Sequence, residues 1–329
     1  MHKKLLFGII ISAGCLYYAL RGIAFREVLS SMAHADPRWF VLALLAYTTA
    51  YILRSIRWSK LLAPIKFVSP AALMPSMLIG FFANNILPFR MGEFVRAHVS
   101  GNRFKVSRTA SLGTIVLERI YDTIAFLTTF LMVSLFFPFP ANIKKAALIM
   151  GMGCVGLIVF LVMSVHYENL LHDLIELFPL SPLLKKKLRD LVANFTHGIS
   201  GMTDWAYILT SLGLSLMIWT LEGITLYLMA RGFSPHISLP QSYFLLFFLG
   251  LSVTLPQAPG YVGTFELFGV TALTLIGLTK EQSLPIILTI HCIQFVYISI
   301  AGICSLWKEG LSLNKILSKN SPEYATESN

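Results

Sequence analysis

The chain is 329 residues long, 56% hydrophobic and only 13% charged, with a mean hydropathy of +0.71 and a formal net charge of +10. A soluble domain carries roughly 25% charged residues, so repeated uncharged runs of about 15–25 residues argue for an α-helical membrane protein that crosses the bilayer several times. These runs are continuously apolar rather than alternating, which argues against a transmembrane barrel. The basic excess falls mostly in short loops, where it sets orientation and meets anionic headgroups. No nucleic-acid-reading module accompanies it. Cys15, Cys154, Cys292 and Cys304 all lie in apolar runs without metal-ligand spacing, and packing is their default role.

Residues 5–20 form the first expected span. Ser12-Ala13-Gly14-Cys15 hints at a lipoprotein processing site but lacks the apolar residue usual three places before the cysteine, so a retained signal anchor is the preferred reading. A mixed-charge loop, 21–38, leads to a second span over 39–53. Trp39 begins that span, and Arg54, Arg57, Trp58 and Lys60 close it as expected interface anchors. Loop charge then places the N-terminus inside, 21–38 outside and 54–66 inside.

Residues 67–89 carry no charge and are long enough to cross, but crossing would strand Arg96, Arg103, Lys105 and Arg108 outside. A re-entrant hairpin resolves the conflict. Pro75 is expected to interrupt the run, leaving 76–87, about 18 Å of helix, which reaches mid-bilayer. Asn84, Asn85 and Pro88 make the turn, with 92–102 as the returning arm. Such a turn is tolerated only inside protein or beside water. Asn side chains can satisfy its backbone, and proline removes one donor. An ordinary span kinked at Asn-Pro is the open alternative.

The longest expected span, 109–137, carries Glu118, Arg119 and Asp122 in its first third. Glu118 and Asp122 are four residues apart and share one helix face. An ionisable group in lipid costs roughly 2.5–3.5 kcal/mol on insertion scales, so these acids need cationic neighbours; Arg90 and Arg96 are the candidates. Pro138 and Pro140 end the span, Lys144 and Lys145 follow against the charge bias, and 146–165 returns. The segment 166–205 reads as a cytoplasmic loop, amphipathic over 170–177 and basic at Lys185, Lys186, Lys187 and Arg189.

Residues 206–230 cross outward with Glu222 embedded. Between Arg231 and Glu266 there is no Asp, Glu, Lys or Arg, yet Pro256, Pro259, Gly260 and Gly263 break any helix there. The flanks, 241–255 and 262–278, read as a second hairpin entering from outside. Residues 283–307 cross back, leaving 308–329 as a cytoplasmic tail. The expected fold is thus all-α, polytopic and a single membrane domain over 1–329. It has about six full spans plus two re-entrant hairpins in an inverted repeat, over about 39–137 and 206–307. Eight or nine plain spans are the alternative. Leu87-Pro88 with Gly92-Glu93 parallels Leu255-Pro256 with Gly260, Gly263 and Glu266, and inverted repeats place a substrate site where their broken helices meet.

Three ordered motifs carry a resemblance: Asn85-x2-Pro88-x3-Gly92-Glu93-x2-Arg96, then Glu118-Arg119-x2-Asp122, then Pro256-x2-Pro259-Gly260-x2-Gly263-x2-Glu266. With Arg57-Trp58 they resemble the flippase-like family, the membrane region of lysylphosphatidylglycerol synthases and their stand-alone bacterial and archaeal homologues, over about residues 5–308. Two departures stand out. The soluble aminoacyl-transfer domain is missing from this sequence, and Gly260-Tyr261 replaces a frequent pair of glycines.

The resemblance implies a lipid flippase of the cytoplasmic membrane, and the loop charges put both termini on the cytoplasmic side. It would move a phospholipid or a polyprenyl-phosphate-linked headgroup. Arg90, Glu93, Arg96, Glu118, Arg119, Asp122 and Glu266 take the substrate-binding positions. Asn84, Asn85, Pro88, Gly92, Pro256, Pro259, Gly260 and Gly263 form the turns. No catalytic residue, metal or cofactor is expected; membrane lipid is the partner, and a glycosyltransferase is a candidate one. The alternatives are an integral-membrane transferase on lipid-linked substrates, with Glu93 or Asp122 as base, and a non-transporting partner of a glycosyltransferase.

Overall fold

The computed structural model describes residues 2–87, 91–134, 175–179, 181–199, 204–233, 237–253 and 257–311, with isolated positions between 145 and 167. The expected turn residues Pro88 and Pro256 and the expected ligand Arg90 lie outside the described residues. So do Pro138, Pro140, Lys144, most of 146–165, residues 170–174 of the amphipathic stretch, and the tail beyond 311.

The described regular structure is entirely helical. In chain order it comprises α1 (His2–Leu20), α2 (Phe25–Ala33), α3 (Pro37–Leu62), α4 (Pro70–Ile86), α5 (Gly92–Phe104), α6 (Arg108–Ser134), α7 (Pro182–Ile199), α8 (Trp205–Arg231), α9 (Leu239–Ser252), a 3₁₀ turn (Pro259–Tyr261), α10 (Thr264–Leu275) and α11 (Lys280–Lys308). Helices α3, α8 and α11 have 26, 27 and 29 residues. At 1.5 Å per residue they span about 39–44 Å, enough for a hydrocarbon core of about 30 Å. All three are apolar enough to cross a membrane.

Local chemistry starts these helices. Asp36 accepts the Arg38 N–H at 3.0 Å before Pro37 opens α3, and Asp204 accepts the Ala206 N–H at 2.8 Å before α8. Thr279 and Gln282 form a reciprocal cap on α11. The 21–38 loop holds α2, a short helix that packs against α11.

Helices α4 and α5 form an antiparallel pair. Arg103 donates to the Ala72 carbonyl at one end, Gly80 abuts Arg96 midway, and Asn84 Oδ1 accepts the Gly92 N–H at 2.7 Å at the other end. A side chain on Gly92 would start 2.0 Å from the Gly80 carbonyl oxygen, so glycine alone permits this approach. Contrary to expectation, Pro75 does not interrupt the run: α4 continues through it from Pro70 to Ile86. A proline forfeits the bond to the carbonyl four residues earlier and crowds it; here that residue, Ala71, lies exposed in the first turn of the helix.

Helix α8 lies antiparallel to α3. Tyr207 donates to the Leu61 carbonyl at 2.9 Å, Arg57 to Ser215 at 2.6 Å, and Arg54 meets Glu222 at 2.8 Å. Apolar side chains gather in two cores. One, around Trp58, Leu61, Met77 and Leu117, joins α3, α4 and α6; the other, around Phe126, Phe130, Phe244 and Phe247, joins α6 to α8–α11. Helix α7, from the basic loop, docks on α6 through Gly113 and Gly198: a side chain on Gly198 would start 2.4 Å from the Ala110 carbonyl. Its C-terminal residues Thr196, Gly198 and Ile199 are buried.

Candidate functional site

Helix α6 brings Glu118, Arg119 and Asp122 against α3 and α5, and the result is a buried ionic network. Arg96 donates from Nη1 and Nη2 to the two oxygens of Glu118, each at 2.8 Å. Its guanidinium lies 3.6 Å from the Trp58 ring centroid, and Trp58 is held in turn by Thr114 at 3.1 Å. Bidentate pairing and stacking on an aromatic face are what a planar guanidinium does best.

The cation facing Asp122 is Arg57, expected to be an interface anchor. It is fully buried and donates to the two Asp122 oxygens at 2.5 and 3.2 Å, and to Ser215. Arg119 also contacts Glu118, and lies 3.5 Å from Asp122. Three arginines therefore face two acids. Removing one partner of a buried pair leaves an uncompensated charge and costs about 3–5 kcal/mol.

Next to this network lies a cavity of about 240 Å³. Trp219 joins the two, since its ring lines the cavity while Nε1 donates to Asp122 at 3.3 Å. The cavity is walled by Tyr47, Tyr51, Phe81 and Phe295, and Arg54 and Glu222 form an ion pair on its surface. Asn84 and Asn85, at the end of α4, close one side; Tyr261 and His291 close another. The two broken segments touch here, because a side chain on Gly260 would lie 3.6 Å from the Asn85 carbonyl oxygen.

The second break is held by His291. Its Nδ1 faces Glu266 at 2.5 Å and its Nε2 faces the Gly260 carbonyl at 2.7 Å, while Phe265 stacks on the ring at 4.5 Å. Glu266 also accepts the Gly263 N–H at 2.6 Å, capping α10. Gly260 and Gly263 have φ of 74° and 92°, values natural to glycine. Pro259 opens the intervening turn. Tyr261, where the motif often has glycine, holds φ at 61°.

The expected ligands thus separate into three places. Arg96, Glu118, Arg119 and Asp122 share the buried network. Glu93 accepts from Asn84 at 3.4 Å, and Glu266 belongs to the His291 turn. Sequence reasoning assigned no site role to Arg54, Arg57, Trp219, Glu222 or His291. Glu222 and His291 carried a signal, as ionisable groups inside otherwise apolar spans. Among the described residues, no three His, Cys, Asp or Glu side chains gather as a metal site would.

Fold and site define an α-helical, multi-pass membrane protein with an ionised interior. The chain belongs to the lysylphosphatidylglycerol synthase TM region family, whose model matches residues 5–302. It is 24% identical over 312 residues to a UPF0104 membrane protein of Methanothermobacter thermautotrophicus, covering 88% of this chain and 91% of that one. A UPF0104 membrane protein of Methanocaldococcus jannaschii is 22% identical over 223 residues, 67% of this chain and 91% of the relative. Glycosyltransferase AglD of Haloferax volcanii is 23% identical over 321 residues, 87% of this chain but 51% of AglD. The chain therefore spans about half the length of that protein. No solved structure matches significantly.

Proposed function

We propose that this protein translocates a lipid headgroup, that of a phospholipid or of a polyprenyl-phosphate-linked lipid, across the cytoplasmic membrane. The observation that carries this reading is the cavity at the meeting point of the two broken segments, which holds the Arg54–Glu222 pair on an otherwise largely apolar wall beside the buried network. An ion pair and two interrupted helices are tolerated at membrane depth where protein or water surrounds them, and a cavity that gathers all three offers a polar group a place to pass. The volume, about 240 Å³, suits a headgroup whose chains stay outside. Arginines bind phosphate oxygens, acids hold those arginines between cycles, and the breaks are where the helices rearrange.

In this reading α4–α5 and α9–α10 are re-entrant hairpins from opposite leaflets, set among about six full spans in an inverted repeat over about 39–137 and 206–307. The segment 166–205 and both termini are cytoplasmic, and the chain is one membrane domain without catalysis of its own. The contact of Lys66 Nζ with the Phe104 carbonyl at 2.8 Å supports a same-side placement of the two ends of the first hairpin. Cysteines introduced at positions 66 and 107 should label from one side only, and from the same side. Labelling from opposite sides removes the hairpin.

Transport is tested in proteoliposomes carrying headgroup-labelled lipid. Wild-type protein accelerates loss of the outward-facing label, and Arg96→Ala and Glu118→Ala abolish the acceleration. Equal rates for all three defeat the proposal. The similarity to AglD favours a second reading, a membrane module that acts in or beside glycosyl transfer on lipid-linked substrates. Sugar transfer from an activated donor by the purified protein, without lipid movement, would establish it.

A further inference from the structure

The contacts that hold the second break require a proton. The Gly260 carbonyl can only accept, so His291 Nε2, 2.7 Å away, carries a hydrogen there. His291 Nδ1 then faces Glu266 Oε1 at 2.5 Å. Two bare lone pairs repel at that distance, so one further proton lies between them, on the ring as imidazolium or on the carboxyl as acid. The other carboxyl oxygen already accepts the Gly263 N–H at 2.6 Å. We propose that His291 and Glu266 are a proton-binding site that latches the second break, and that the proton is the ion coupled to its movement.

Released to water in the cavity, that proton leaves a neutral imidazole and a carboxylate. The ring then has one hydrogen for two acceptors and serves Gly260 or Glu266, never both. The backbone between them is poised to move, since Tyr261 holds a φ of 61° that costs a non-glycine residue energy. Its remaining tie outside α10 and α11 is Ser12 of α1, whose Oγ accepts the Ala258 N–H at 2.9 Å. The proton has a route as well: His291 lines the cavity and its side chain is 11% exposed, against 3% for Glu266.

His291 and Glu266 are each other's sole charged partner among the described residues. Across the cavity stand Arg54, Tyr47 and Tyr51 of α3, Glu222 of α8 and Tyr261 of the turn; α4 offers only the amides of Asn84 and Asn85. Helices α1 and α9 pack on α10, and α2 packs on α11. Their ionisable groups, Cys15, Tyr17 and Tyr18, Tyr243, and Arg26 and Glu27, make no hydrogen bond or ion pair with the two residues. The proton's role as coupling ion rests on the transport reading, whereas the proton site rests on these contacts alone.

Hydrogen–deuterium exchange of the purified protein in detergent tests the site, read at segment 257–263 and corrected for the intrinsic pH dependence of exchange. The closed turn keeps the shared proton, whereas an open one has an unconstrained imidazole, neutral above about pH 6.5. Opening in that range therefore releases one proton, and protection of the segment falls about tenfold per pH unit. Glu266→Gln supplies the missing hydrogen permanently from its amide, so protection stays high and flat over the same range. His291→Gln is flat too, at lower protection.

A wild-type profile that stays flat, or Glu266→Gln as steep as wild type, overturns the site. So does an equal slope in α8, which reports unfolding of the whole chain. If Glu266→Gln does not fold, ¹⁵N-histidine NMR of the wild type decides, with His291→Gln assigning the resonance. A His291 Nε2 that carries no hydrogen at neutral pH overturns the site. In proteoliposomes, a pH gradient changes the wild-type rate of lipid movement several-fold and leaves that of Glu266→Gln unchanged. A proton-linked slope without lipid movement sinks the transport reading and leaves the site standing; lipid movement with a flat profile does the reverse.

Discussion

Arg57 on α3 and Asp122 on α6, 65 residues apart in sequence, meet through two nitrogens and two oxygens in the buried interior. The pair is worth less for its attraction than for what its loss exposes. Arg57→Met or Asp122→Leu alone leaves a buried, uncompensated charge and should cost about 3–5 kcal/mol, whereas the double substitution should recover most of that loss. Thermal unfolding followed by loss of the monodisperse chromatography peak measures all three. A double variant as unstable as the worse single one would mean that the remaining arginines and acid, Arg96, Arg119 and Glu118, depend on the same pair.

Backbone proximity at Gly92 and Gly198 is equally specific. A methyl at Gly92 begins 2.0 Å from the Gly80 carbonyl oxygen, and one at Gly198 begins 2.4 Å from that of Ala110. Either alanine forces helices apart, with a cost of about 1–3 kcal/mol typical of overpacking. Gly153, with nothing near its missing side chain, provides the control: Gly153→Ala should be neutral or slightly stabilising. The same unfolding assay separates the two classes.

Lys105 ends α5 with φ at 54°, a left-handed position, and its side chain is exposed. Glycine adopts that backbone without strain, so Lys105→Gly should stabilise by roughly 0.5–1 kcal/mol. A fall in melting temperature would show that the Lys105 side chain itself holds the hairpin end.

His291 stands between the Gly260 carbonyl, facing Nε2, and the Glu266 carboxylate, facing Nδ1. His291→Phe keeps the ring against Phe265 but removes both ring nitrogens from these buried oxygens, and should cost about 1–3 kcal/mol. His291→Gln retains one of the two bonds and should fall between that variant and wild type. Protease sensitivity of the 253–263 connection should rise in the same order if the histidine holds the turn.

The sequence alone determined the helical membrane class, the two backbone breaks and the presence of ions in apolar surroundings. These follow from local facts: run length against bilayer thickness, the missing donor of proline, the freedom of glycine, and the cost of a charge in lipid. Asn84 was legible as a turn residue because an amide can bond neighbouring backbone, and it does accept the Gly92 N–H.

Tertiary structure decided the partners. Arg57 looked like a headgroup anchor because it sits near a span's end with Trp58, but packing of α3 against α6 and α8 turns it inward to Asp122 and Ser215. Glu266 joined His291 rather than the arginines, and Arg54 and Glu222 came to face one cavity although 168 positions divide them. Sequence shows that a buried charge must be answered. Which residue answers it depends on how helices distant in the chain pack, and no local pattern encodes that.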